Sequence, residues 1–297
     1  MTLFKQKLRR LLLGGSFLRK NIRQTNAIDR LGRQIARLAY PGIADPEFVA
    51  GLEPFELGFR SQYGEDGIIL YLVDRIGVAR RLVVEIGIED GRECNSANLV
   101  LNFGWRAVQF EADESFCRSA QAFFASRLGE GATKCKTIHA FVTSENVNQF
   151  LEGAGISGEI DVFSLDVDGN DYWIWKALTA CRPRIAVIEY NASFGVERSV
   201  TIPYDPQFVV GRDKAKPFYH GASLAALSKL SRSKGYVLVG CESSGVNAFF
   251  VHEDLAAAAN LHEVDVATAF RVHARRCASV PHETQVARTS RYPLVDV

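Results

Sequence analysis

Val83-Val84-Glu85-Ile86-Gly87-Ile88-Glu89-Asp90-Gly91 is the stretch whose reading decides the fold. A short apolar run ends in an acid, turns at a glycine and passes into a helical pattern near 96–102. An apolar run without alternation suits a strand buried on both faces. A glycine at such a turn lets a ligand approach the backbone, and the carboxyl ends of strands are where open α/β sheets bind nucleosides. The spacing is G-x-x-x-G, which departs from the G-x-G-x-x-G of a pyrophosphate loop.

Working outward, similar runs recur at 107–111, 134–140, 160–166 and 184–189, with helix-length segments near 114–127, 145–152 and 172–179 between them. Repeated strand–helix–strand order predicts a parallel sheet with helices on both faces. Two further runs, 236–240 and 246–251, are separated only by Cys241-Glu242-Ser243-Ser244-Gly245, which leaves no room for a helix. They predict an antiparallel hairpin. The fold class is therefore α/β: a Rossmann-like, doubly wound, seven-stranded and mostly parallel sheet that ends in a hairpin. That ending, together with the missing pyrophosphate loop, speaks against a dinucleotide-dependent oxidoreductase.

The composition supports a folded enzyme-sized chain. Its 297 residues are 47% hydrophobic and 23% charged, which excludes a disordered polypeptide. A net charge of +1 argues against nucleic acid as a partner. No apolar run approaches the ~20 residues that span a bilayer. The six cysteines are scattered with no C-x-x-C pair, so the expectation is free thiols in a reducing, cytoplasmic compartment.

Charge is uneven along the chain. Residues 1–40 carry +9 and the rest carries −8. The first forty residues read as a basic amphipathic helical arm, suited to peripheral contact with an anionic membrane face or to packing on a partner protein. A linker follows over 41–60, then a main domain over 61–253, with a helix and a loose tail expected over 254–297. Within the domain, 191–220 has no clear periodicity and holds Pro203, Pro206 and Pro217, the pattern of a lid or substrate segment. Tyr204, Asp205, Tyr219 and His220 are its candidate contacts; His220 can serve as base or ligand, or be merely structural.

Two acidic groupings carry the chemistry. Glu111 ends the second strand about twenty-five residues beyond Glu85, where a carboxylate can accept both hydroxyls of a ribose. Asp166 and Asp168 fall at the end of the fourth strand, and Glu189 and Asn191 at the end of the fifth. Adjacent strand ends bring these four together. One reading makes Asp168, Glu189 and Asn191 ligands of Mg²⁺ or Mn²⁺ that orients a substrate hydroxyl. Another uses Asp168 or Glu189 as a metal-free general base. A third has Asp168 or Asn170 cap the following helix. Ser61-Gln62-Tyr63-Gly64-Glu65 opens a helix either as a capping box or as a cover over the ligand. Trp173 and Trp175 either pack the core or wall a pocket.

Taken together, these residues resemble the class I S-adenosylmethionine-dependent methyltransferases, and more narrowly the FkbM-type branch. The resemblance is carried by Ser61–Gly67, Glu85-Ile86-Gly87, Gly104-Trp105, 160–171, Ile188-Glu189-Tyr190-Asn191, Gly221–Leu224 and 245–250, and it covers roughly residues 60–252. It implies S-adenosyl-L-methionine as cofactor, with contacts at Gln62, Tyr63, Glu65, Glu85, Gly87, Gly91, Glu111 and Asp166. Read on this fold, Asp168, Glu189, Asn191 and His220 are the candidate catalytic residues, and the resemblance implies O-methylation of a hydroxyl on a sugar, glycolipid or secondary metabolite. A homodimer is compatible with the resemblance, and a non-catalytic nucleoside-binding protein on the same fold is the alternative. One departure is Glu89, where many methyltransferases have a small residue.

Overall fold

The computed structural model describes residues 51–297; the basic arm and the first part of the linker lie outside the described residues. In chain order the elements are α1 (Glu65–Ile76), β1 (Leu82–Ile86), α2 (Asn95–Phe103), β2 (Arg106–Glu111), α3 (Glu114–Leu128), β3 (Cys135–His139), α4 (Val147–Gly153), β4 (Gly158–Leu165), α5 (Asp171–Ala177) and β5 (Cys181–Glu189). There follow β6 (Val200–Thr201), α6 (Leu224–Ser233), β7 (Tyr236–Cys241), β8 (Asn247–His252), α7 (Glu253–Ala258), α8 (Val266–Ala269), α9 (Ala274–Cys277), α10 (His282–Thr289) and β9 (Val295–Asp296).

The main sheet has seven strands in the order β3-β2-β1-β4-β5-β8-β7. The first five are mutually parallel, with Val83 opposite Ala107 on one side and Val162 on the other. β8 runs antiparallel between β5 and β7, pairing Glu189 with Asn247 at one end and Ile185 with Val251 at the other. The anticipated hairpin is present, and its second strand is the one inserted next to the parallel set. This is the class I methyltransferase fold.

Each buried strand feeds two cores because successive side chains point to opposite faces. Val83, Val162, Ile185 and Val187 pack with α1, α2, α3 and α7 on one face. Val84, Ile86, Phe163, Ala186 and Ile188 pack with α4, α5 and α6 on the other. From β1 the chain winds outward through β2 and β3, then returns to β4 on the opposite side. The carboxyl ends of β1 and β4 thus flank a topological switch point, where crevices form in open α/β sheets.

The segment 254–297 differs from the expected helix and loose tail. It forms four short helices and closes with β9, which pairs with β6. The apolar periodicity is weak there because polar bonds fasten the segment. Gln285 and Thr289 are fully buried, and both bond to Ser193 through the Ser193 hydroxyl and carbonyl. Among the described residues, no helix is long and apolar enough to cross a membrane.

Candidate functional site

The β1 turn and the β4 turn are in contact. Asp166 donates its amide to the Ile86 carbonyl at 3.0 Å. Gly87 has φ +84°, and a Cβ there would lie 1.6 Å from the Asp166 carbonyl oxygen, so only glycine fits. Gly91, at φ +73°, sits against Phe124 and Ala120 of α3. Two non-glycine residues also take the left-handed conformation: Glu89 on the first turn (φ +49°) and Asp168 on the second (φ +52°). Residues strained in this way concentrate at functional sites. Burial raises the pKa of Glu89, and the nearby Asp168 charge raises it further.

Several acids expected at the ligand are spent on the scaffold. Glu85 turns its carboxylate under α2, accepting the amides of Asn95 and Ser96 at 2.8 Å each, with the Ser164 hydroxyl at 3.2 Å. That satisfies otherwise orphaned helix N–H groups and places negative charge at the positive end of the helix. Glu85 therefore shapes the loop from below. Glu65 is likewise buried, bonded to Asn247 Nδ2 and the Tyr63 amide. Gln62 is exposed and Tyr63 half-buried. The capping exchange near Ser61 is made with Asp66, not Glu65: Ser61 Oγ accepts the Asp66 amide, and Asp66 accepts the Ser61 amide.

Glu111 stays at the crevice. Its Oε2 accepts the Ile88 and Glu89 amides and its Oε1 the Asp113 amide, so it pins the β1 turn against the end of β2.

The second acidic group is assembled as the spacing anticipated. Oxygens of Asp166, Asp171 and Glu189 lie within 4.8 Å of one another, as do ligand atoms of Asp168, Glu189 and His220. Burial raises Glu189 well above the usual carboxylate range, and the charges of Asp166, Asp168 and Asp171 push it further. Asp166 is raised by burial and then by Asp168 and Asp171, offset by a hydrogen bond with Glu189. Asp171 is pushed up to about 6, chiefly by burial. Its oxygens accept the Val167 and Gly169 amides, folding the turn that presents Asp168. Asp168 stands on the solvent side, raised by desolvation and pulled down by Arg276.

Helix capping does not consume this group. The N-cap of α5 is Asn170, which makes no side-chain cap bond and instead donates to the Asp205 carbonyl. No described residue donates a hydrogen bond to the Asp168 carboxylate.

Asn191 corrects the expected ligand set. Its Nδ2 donates to the Phe218 and His220 carbonyls at 2.8 Å each. Its Oδ1 accepts the Ser193 amide and Arg276 Nη1, at 3.0 and 2.9 Å. Both amide lone pairs are occupied, so Asn191 joins β5 to the 218–220 segment and is not free for a metal or substrate. His220 is buried and pushed down to about 3, first by desolvation and then by Arg276 and His273. It stays neutral at physiological pH and is no proton-accepting switch.

The 203–220 segment closes over the β4 turn. Phe208 lies against Gly169, where a Cβ would come within 2.5 Å of its ring. Trp173 donates to the Ile202 carbonyl, Tyr204 bonds Glu145, and Tyr219 donates to the Pro293 carbonyl. Asp205 contributes its carbonyl to Asn170. Trp175, in contrast, is fully buried and donates to Ser231, which is packing. Arg276 is the site residue that sequence reasoning missed. It comes from the segment read as a C-terminal helix and loose tail, and an isolated arginine carries no local signal there.

No protein-family model matches the chain, and no curated protein matches it. Among solved structures it is similar to magnesium protoporphyrin IX methyltransferase from Synechocystis PCC 6803 with bound S-adenosylmethionine, at 14% identity over 63% of this chain and 76% of that one, TM-score 0.40. It is also similar to an O-methyltransferase from Bacillus cereus, at 14% identity over 76% and 89% of the two chains, TM-score 0.37. A glycopeptide N-methyltransferase is similar at 10% identity over 62% and 86%, TM-score 0.37. The fold assignment rests on the strand order and register given above, not on these likenesses.

Proposed function

We propose that this chain is an S-adenosylmethionine-dependent O-methyltransferase acting on a hydroxyl of a sugar, glycolipid or secondary metabolite. The observation that carries the reading is an acid left unspent by the scaffold, Asp168, held in a left-handed turn beside Gly87 at the switch point. Glu111 suits the ribose of the cofactor as a hydrogen-bond acceptor, with a site left for one hydroxyl. It accepts three amide hydrogens, whereas a carboxylate offers about four lone-pair sites.

When bound, S-adenosylmethionine supplies an electrophilic methyl group whose bond to sulfur breaks as the acceptor oxygen attacks. Asp168 accepts the proton that leaves the acceptor hydroxyl. Its raised pKa makes it a better base near neutral pH than an ordinary aspartate. Glu189 and Asp166, behind it, share hydrogen bonding and keep the turn compact. Phe208 against Gly169, and the Asn170 bond to the Asp205 carbonyl, hold the 203–220 segment over this turn, where it can hold the acceptor and limit water.

Calorimetric titration with S-adenosylhomocysteine tests the reading. Binding in the micromolar range is expected, weakened roughly tenfold or more in Glu111→Ala, the worth of hydrogen bonds to a charged acceptor. Asp168→Asn is expected to keep that binding and to lose most methyl transfer in an acceptor screen. No binding by the wild-type chain overturns the cofactor assignment, and unchanged transfer in Asp168→Asn overturns the role of that residue.

A further inference from the structure

A cation stands beside the acidic group, bonded to its neutral neighbours, and feels the charges of Glu189 and Asp168. The Arg276 guanidinium reaches in from α9 and places Nη2 at 2.7 Å from His220 Nε2, with Nη1 at 2.9 Å from Asn191 Oδ1 and 3.3 Å from Ser193 Oγ. A guanidinium can only donate, so Nε2 must be the acceptor. In a neutral imidazole the hydrogen then sits on Nδ1. That atom is buried, has no hydrogen-bond partner, and lies 3.7 Å from Glu189 Oε2. The unpartnered N–H is thus aimed into the acidic group.

This arrangement conflicts with a divalent ion held by Asp168, Glu189 and His220. A metal needs the bare lone pair on Nδ1, which moves the hydrogen to Nε2. Nε2–H and the Arg276 N–H would then point at each other across 2.7 Å. Asn191, the other expected ligand, is also taken, in part by the same arginine.

We propose that Arg276 is the resident cation of this site: it fixes His220 in the Nδ1–H form facing Glu189 and occupies the role of a divalent metal. Arg276 is a positioning residue, acting through His220 and Asn191 on the ends of β5 and the 218–220 segment. Its catalytic consequence rests on the methyltransferase reading, whereas the tautomer and the metal exclusion do not.

The test uses the full chain in two measurements that need neither cofactor nor turnover. Nitrogen-15 NMR of labelled histidines reads the His220 tautomer, and Mn²⁺ electron paramagnetic resonance reads metal binding. The wild-type protein is expected to show Nδ1–H at His220 and no stoichiometric Mn²⁺ binding. In Arg276→Met, which cannot donate, the tautomer constraint is lost and Mn²⁺ binding appears; adding His220→Ala lowers that affinity roughly tenfold or more, the scale for losing a supporting group at a metal. Arg276→Lys, which still donates, keeps the wild-type tautomer. Stoichiometric Mn²⁺ binding by the wild type overturns the proposal. So does an Nε2–H tautomer, or a folded Arg276→Met variant indistinguishable from wild type in both readouts. If Arg276→Met does not fold, the wild-type and Arg276→Lys measurements decide. Failure to bind S-adenosylhomocysteine bears only on the functional reading.

Discussion

The carboxyl group of Glu65 accepts from Asn247 and from the Tyr63 amide while buried at the base of α1. Burial raises its pKa from 4.5 to about 7, with the nearby Glu242 charge adding to the effect. The folded protein therefore holds a proton that the unfolded chain releases over that interval. Stability must fall as pH rises from 4.5 to about 7, and this group costs nothing further above that range. The full effect is at most about 3 kcal/mol. Asp166 and Glu189 add slopes of the same sign, so the informative quantity is a difference. Urea denaturation at a series of pH values is expected to give a shallower decline for Glu65→Gln than for wild type; equal slopes remove the assignment.

Between elements, Asn191 splints the end of β5 to the 218–220 segment through two hydrogen bonds, and accepts one more each from the Ser193 amide and Arg276. Truncation to alanine leaves two buried carbonyls, an amide and a guanidinium short of a partner. The expected loss is about 2–4 kcal/mol, from the cost of unsatisfied buried groups. Asn191→Asp is a sharper probe, because it keeps the acceptor for Arg276 and loses both donations. Hydrogen exchange in residues 203–220 is expected to quicken in both variants, and to stay at the wild-type rate if the segment is fixed by Phe208 and Trp173 alone.

Across the whole molecule, the C-terminal segment completes the site that the central sheet begins. α10 is anchored by Gln285, whose Oε1 accepts from Ser193 at 2.7 Å and whose Nε2 donates to the Val280 carbonyl at 2.8 Å. Ser193 in turn lies beside Asn191 and Arg276. Gln285→Ala, more than twenty-five residues after β8 ends, is expected to cost about 2–3 kcal/mol through a cavity and two unpaired buried groups. It is also expected to speed proteolytic cleavage within 270–297. A loss below 0.5 kcal/mol, the ordinary surface range of about ±0.5, rules out this anchoring role.

The sequence by itself determined the α/β alternation, the seven strands, the terminal hairpin and the meeting of Asp166, Asp168 and Glu189. Short-range periodicity sets strands and helices, and parallel order forces their carboxyl ends to one edge. Gly87 was legible for the same reason, since a turn directly after a buried strand leaves no space for a side chain. Side-chain direction was not legible. Glu85 stands one residue before the end of β1 and Glu111 at the end of β2, and one turns beneath α2 while the other remains at the crevice. Asn191 was read as a ligand because spacing places it near the acids, whereas the partners that occupy it come from 218–220 and from α9. Only the tertiary structure brought in Arg276, because long-range polar bonds, unlike apolar periodicity, leave no regular trace along the chain.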